Sequence, residues 1–128
     1  MMNTLQQMFK LDETEFEKIK SNYNLQEFSL EINCFDIGEG FEIIFNNDSV
    51  KDSIQSFNTN LNTLENKVLI EDYIAISLFN EKGVRLYKHE SKRNNFKTNS
   101  IFEVINQPEK YPNYVDENTI PWWKSEKN

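Results

Sequence analysis

Two short runs with a large apolar residue at every second position constrain this chain most. In "EFSLEINCF", Phe28, Leu30, Ile32 and Cys34 fall on one side of an extended backbone, and Ser29, Glu31 and Asn33 on the other. In "FEIIFN", Phe41, Ile43 and Phe45 repeat the pattern. This alternation belongs to strands with one wet face. Between them "DIGEG" supplies Gly38 and Gly40, both free to take positive φ, so the pair reads as a hairpin with a five-residue loop. A second hairpin follows. Ile74, Ile76 and Leu78 alternate with Tyr73, Ala75 and Ser77; "NEKG" turns, with Gly83 at the positive-φ place; then Val84 and Leu86 alternate with Arg85, Tyr87 and His89. Hairpins make a sheet antiparallel.

Elsewhere the period changes. "LDETEF" reads as a helix start: Asp12 caps, Glu15 completes a capping box, and Leu11 and Phe16 form a hydrophobic staple. Phe16, Ile19 and Tyr23 carry that helix to about Asn22. Val50, Ile54, Phe57, Leu61 and Leu64 make one helical stripe, capped by Ser49 and Asp52 or by Asp48. "SIFEVINQP" reads as a short helix with Ser100 as cap, Glu103 closing the box and Pro108 as stop. The expectation is an α+β domain of two layers. An antiparallel sheet of at least four strands packs on helices in the order α-β-β-α-β-β-α, followed by an aromatic tail. Residues 1–128 read as one domain, with 108–128 an irregular strap stiffened by Pro112 and Pro121.

Charge is unevenly placed. Between Leu11 and Asn60 stand eleven acids against three bases, whereas six bases face two acids between Glu81 and Ser100. The first half repels a phosphate backbone and attracts basic partners. The aromatics among the bases (Arg85, Tyr87, Lys88, Lys92, Arg93, Phe96, Lys97) resemble a small stacking platform for nucleic acid. The overall charge of −7 favours pairing of those bases with the acidic half, and no nucleic acid is expected. The first ten residues lack a continuous apolar core and no stretch suits a membrane span, so the cytoplasm is expected.

The residues also argue against several chemistries. Cys34, the only cysteine, has the parity of the inward face and reads as a small buried hydrophobe. His89, the only histidine, reads as an outward surface residue. With no His or Cys pair at ligand spacing, no metal and no cofactor is expected. "DIGEG" precedes a strand where a phosphate cradle would open a helix. Glu31 and Glu42 stand on neighbouring strands and can face each other on the wet side. An enzyme cleft, a basic partner, or a Lys or Arg reaching across from "GVRLYKHE" would each answer that repulsion. The tail "YPNYVDENTIPWWKSEKN" offers aromatic anchors; adjacent Trp122 and Trp123 point opposite ways in an extended segment, so one can be buried while the other meets a partner.

A small acidic chain with many aromatics and no visible catalytic set resembles the bacterial immunity proteins of polymorphic toxin systems, of contact-dependent growth inhibition or colicin-like type. "IPWWK" and "DIGEGFEIIF" match no signature of that group, so the resemblance is one of overall character. It implies no enzymatic activity and tight binding to a cognate toxin domain, a basic nuclease. The contact residues expected are Glu31, Asp36, Glu39, Glu42, Asp48 and Asp52, with Tyr114, Trp122 and Trp123 as anchors. The alternatives are a small carboxylate-dependent hydrolase built on Glu31 and Glu42, and a phage-type inhibitor that mimics nucleic acid.

Overall fold

The computed structural model describes residues 3–96 together with Phe102, Ile105 and Asn106. In chain order the elements are α1 (Leu5–Phe9), α2 (Glu13–Tyr23), β1 (Phe28–Cys34), β2 (Glu39–Phe45), α3 (Val50–Leu64), β3 (Tyr73–Asn80) and β4 (Arg85–Lys92). The four strands form one antiparallel sheet in the order β2-β1-β3-β4. The α+β architecture is therefore as the alternation implied.

The inward face of β1 is the anticipated one: Phe28, Leu30, Ile32 and Cys34 are all buried. The hairpin turn differs. Cys34 pairs with Glu39, leaving four residues, 35–38, in the turn. Parity requires this. Inward residues are even-numbered on β1 and odd-numbered on β2, and directly opposed residues share a face. Only an even loop puts both sets on one side. Gly38 takes the left-handed conformation, φ 65°, closing a 3₁₀ turn over Phe35–Ile37. Gly40 does not have positive φ; it lies within β2, where a Cβ would stand 2.3 Å from the Ile32 carbonyl oxygen.

Helices cover the inward face. Phe16 of α2 and Phe57 of α3 meet the β1–β2 aromatics: ring centroids lie 5.4 Å apart for Phe16–Phe28, 5.1 Å for Phe28–Phe45 and 6.0 Å for Phe45–Phe57. Asp12 caps α2 by accepting from the Glu15 N–H at 2.8 Å. The Glu15 carboxylate does not close the box; it accepts from Asn106 Nδ2 at 2.6 Å. Asn24, at φ 55°, ends the helix. Ser49 occupies the cap position of α3 without a side-chain bond to the helix, because its hydroxyl donates to Asn46 Oδ1 at 3.1 Å. The stripe on α3 holds, with Phe57, Leu61 and Leu64 buried.

Helix α1 was not anticipated. Five residues are too few to display a period, but Thr4 and Gln7 form a reciprocal capping box that was open to reading. It buries Leu5, Met8 and Phe9. Asn58 of α3 fixes the link from α1 to α2, donating to the Leu11 carbonyl at 3.2 Å and accepting from the Leu11 N–H at 3.4 Å. Of the third expected helix, Phe102 and Ile105 are helical and buried; Ser100, Glu103, Pro108 and the whole 108–128 strap lie outside the described residues.

The second hairpin corrects an expectation. Leu78 opposes Tyr87, but Phe79 opposes Arg85, so Leu86 is an extra residue, a β-bulge. The phase of β4 therefore inverts. Tyr87 is buried, Val84 is exposed, and His89 faces inward against the Phe96 ring at 5.4 Å. His89 is thus not a surface residue, and burial pushes its imidazole below its ordinary value.

Arg93, which follows β4, is completely buried. One guanidinium nitrogen donates to the carbonyls of Glu65 (3.1 Å) and Val68 (2.5 Å). The other donates to the Asn3 carbonyl at 3.2 Å and pairs with the Glu65 carboxylate. The second oxygen of that carboxylate accepts from the Leu5 N–H at 2.7 Å. Three bases of the run pair with acids outside the Leu11–Asn60 stretch, Arg93 with Glu65, Lys92 with Glu71 and Lys88 with Glu90, where pairing with the acidic half was expected. No helix among the described residues is long and apolar enough to cross a membrane.

Two measurements check this account. Arg93→Ala leaves three carbonyls and the partly buried Glu65 carboxylate without their donor and should cost about 3–5 kcal/mol in urea unfolding, with Arg93→Lys recovering only part of it. For His89, the unfolded chain binds the proton more tightly than the folded one, whose imidazole value is depressed. Stability is therefore full above the ordinary value of 6.5 and falls as pH drops below it. The loss of stability between pH 7.5 and 5 should be smaller in His89→Gln than in the parent.

Candidate functional site

The sheet face away from the core is built from the residues of opposite parity; the small residues Ser29, Ala75 and Ser77 on its central strands are buried, and Gly40, Glu42 and Ile44 on β2 are exposed. Glu31 on β1 pairs directly with Glu42 on β2, so the two carboxylates stand side by side on that face. Their hairpin continues through Asn33–Gly40 to the turn. Glu31, Asn33, Phe35, Glu39, Gly40 and Glu42 line a shallow groove of about 460 Å³. Gly40 adds no side chain to the groove, and the Ile32 carbonyl and the Asn33 amide oxygen lie where its Cβ would stand.

Each carboxylate has one polar neighbour. Glu31 Oε1 accepts from Asn33 Nδ2 at 2.9 Å, and Glu42 Oε2 from Ser29 Oγ at 3.0 Å. Among the described residues neither has a cation within 4 Å. The cross-sheet cation expected from "GVRLYKHE" does not cover them, because β3 lies between β1 and β4. The transverse row reads Glu42, Glu31, Ser77, Lys88. Strands spaced ~4.8 Å apart put Lys88 roughly 10 Å from Glu31 across the sheet. Lys88 meets Glu90 instead, at 3.8 Å.

The structure separates the other expected contact residues. Glu39 edges the groove but is paired with Lys67 at 3.0 Å. Asp36, on the turn, accepts from the Tyr73 N–H at 2.8 Å and so ties the hairpin end to β3. Asp48 and Asp52 are exposed at the start of α3, beyond the other end of β2. Seven extended residues span roughly 20 Å. Asp52 lies in the first turn of α3, where a carboxylate suits the helix dipole. Tyr114, Trp122 and Trp123 lie outside the described residues.

Two aromatic surfaces near the groove were not anticipated as contacts. Phe35 is 51% exposed and Tyr73 42% exposed, at the end of the sheet that Asp36 holds together. Leu69 and Ile70, in the turn before β3, extend this apolar pole. Phe35 directly follows inward Cys34 and carries the parity of the wet face, so the sequence held a signal for it.

The remaining reactive groups are committed to structure. Cys34 is buried, and burial pushes its thiol up to about 11, so it is almost wholly protonated and inert at neutral pH. The buried Tyr23 hydroxyl donates to the Ile105 carbonyl at 2.7 Å, and burial raises it to about 12. Among the described residues no three His, Cys, Asp or Glu side chains are grouped as metal ligands. Comparison with protein-family models, with curated proteins and with solved structures finds no match.

Two like charges opposed on a strand pair cost stability. Glu42→Gln removes the repulsion and keeps an oxygen for Ser29, so it should stabilise the fold by a few tenths of a kcal/mol. A shift of the urea midpoint to higher concentration at unchanged slope is the expected result.

Proposed function

We propose that this chain is an immunity protein that binds and neutralises a cognate bacterial toxin domain, a basic nuclease, without enzymatic activity of its own. One observation carries the reading: Glu31 and Glu42 stand opposed on the sheet face away from the core, and among the described residues neither has a cation within 4 Å. A folded chain that keeps such a repulsion has a use for it, and a basic partner surface relieves it on docking. Acidic surface steers a cationic protein and speeds encounter. Aromatic anchors supply the affinity that charge alone does not. Phe35 lines the groove and Tyr73 is exposed at the same end of the sheet, and Tyr114, Trp122 and Trp123 of the tail are proposed beside them. The overall character of the sequence, small, acidic and rich in aromatics, supports the same reading. The site of action proposed is the cytoplasm, where an incoming nuclease would meet its substrate.

The expected complex is tight, roughly −12 to −16 kcal/mol. Capture from native cells on the immobilised chain should yield one basic protein in stoichiometric amount, and its nuclease activity should be lost in the complex. Its association rate should fall at least about tenfold between low and physiological salt. The Glu31→Gln, Glu42→Gln double variant should slow association while the fold is retained. A rate indifferent to salt, or a captured protein that stays active when bound, would sink this reading.

A further inference from the structure

We infer that the outer edge of β2 is a docking edge for an extended basic segment of a partner protein, which adds to the sheet as a fifth strand. β2 is a terminal strand of the sheet. The direction of its backbone groups follows from the hydrogen bonds of the neighbouring strands. Asn80 donates to the Val84 carbonyl, so Asn80 faces β4 and its neighbour Phe79 faces β1. Phe79 pairs with Ser29, which therefore faces β3 and turns away from β2. Ser29 also opposes Ile44, so Ile44 points its N–H and carbonyl out of the sheet. An independent contact agrees: the Ile44 carbonyl accepts from Ser53 Oγ at 3.1 Å, on the side of α3. By alternation Gly40 and Glu42 point outward too. The N–H and carbonyl of Gly40 and Glu42, and the N–H of Ile44, thus form an open ladder among the described residues.

Exposed edges are commonly blunted by lysine, proline or a bulge. This one carries none of them. Glu39, Gly40, Glu42 and Ile44 are all exposed, and the charges on the strand are carboxylates. That choice selects the occupant. A second copy paired through the same edge would bring Glu42 toward its own kind, whereas a basic strand is attracted. Gly40 completes the fit. The residue of the added strand opposite Gly40 would project onto the same face with no β2 side chain in its way, beside the Asn33 amide that lies next to Gly40. Its charged end would reach toward Glu31 and Glu42. Main-chain bonds would then supply affinity and the groove specificity. The inference rests on the proposed binding of a basic partner and adds how that partner is held.

The test is site-resolved amide hydrogen exchange on the full chain with a heptapeptide alternating lysine and valine, and with the same peptide carrying proline in place of each valine. In the free protein the amides of Gly40, Glu42 and Ile44 should exchange fast, and those of Phe41 and Ile43, bonded to β1, slowly. Saturating lysine–valine peptide should slow Gly40, Glu42 and Ile44 by about tenfold or more and leave Phe41 and Ile43 unchanged. The proline peptide, of equal charge, should not. Ile44→Pro removes an outward N–H while sparing every bond to β1, and should abolish the slowing at Gly40 and Glu42; Ile44→Thr should retain it. No slowing at saturation, equal slowing by the proline peptide, or slowing in peptide-free protein that grows with its concentration would each overturn the inference, the last by identifying a second copy as occupant. A basic protein captured and inhibited without slowing of these three amides overturns the edge alone. Slowing by the peptide without any captured partner overturns the immunity reading alone.

Discussion

The guanidinium of Arg93 joins four parts of the chain. It reaches the Asn3 carbonyl before α1, the carboxylate and carbonyl of Glu65 at the end of α3, and the Val68 carbonyl in the loop toward β3, while its own backbone follows β4. The Arg93 N–H also donates to the Asp72 carbonyl at 2.8 Å. A buried cation is tolerable only when its donors and its charge are matched. Here that condition specifies position. The end of α3 must lie beside the end of β4, and the amino-terminal segment must close over both. With α3 placed, Phe57 of its apolar stripe packs on Phe41 and Phe45 of β2, and Glu42 on the other side of that strand meets solvent.

That open face is where the reading of function rests. In the sheet order β2-β1-β3-β4, the acidic hairpin and the cation-bearing strand are held apart by β3. Had β4 lain beside β1, a lysine would have covered Glu31 and the face would be ordinary. The charge separation along the chain survives as a charge separation across the sheet, with carboxylates on β2 and Arg85, Lys88 and Lys92 on β4. Electrostatic steering and an open strand edge then act at the same place.

Bulge and turn parity decided which side chains reached solvent. One extra residue, Leu86, moved Tyr87 from the expected wet face into the core and turned His89, which is half-buried, to the inward side. The even turn at 35–38 kept Phe41, Ile43 and Phe45 on the same side as Phe28 and Ile32. Alternation within one strand is a local property, but the phase of one strand against the next belongs to the pairing. Gly40 makes the same point: its need for no side chain comes from the Ile32 carbonyl across the hairpin, not from its own backbone angle.

The sequence by itself determined the elements with sustained periods: the Asp12 cap of α2, the stripes of α2 and α3, the inward faces of β1 and β3, and the side-by-side placement of Glu31 and Glu42 on one hairpin face. Those follow from spacing, because a helix repeats every 3.6 residues and a strand every two. Tertiary structure alone decided the sheet order, the bulge that inverted β4, the burial of Arg93 out of a run that read as basic surface, and the division of six acids between the groove, the turn and the start of α3. Each of these depends on contacts between residues far apart in the chain, and a pattern read within a window of neighbours carries no record of which distant segment will lie against it.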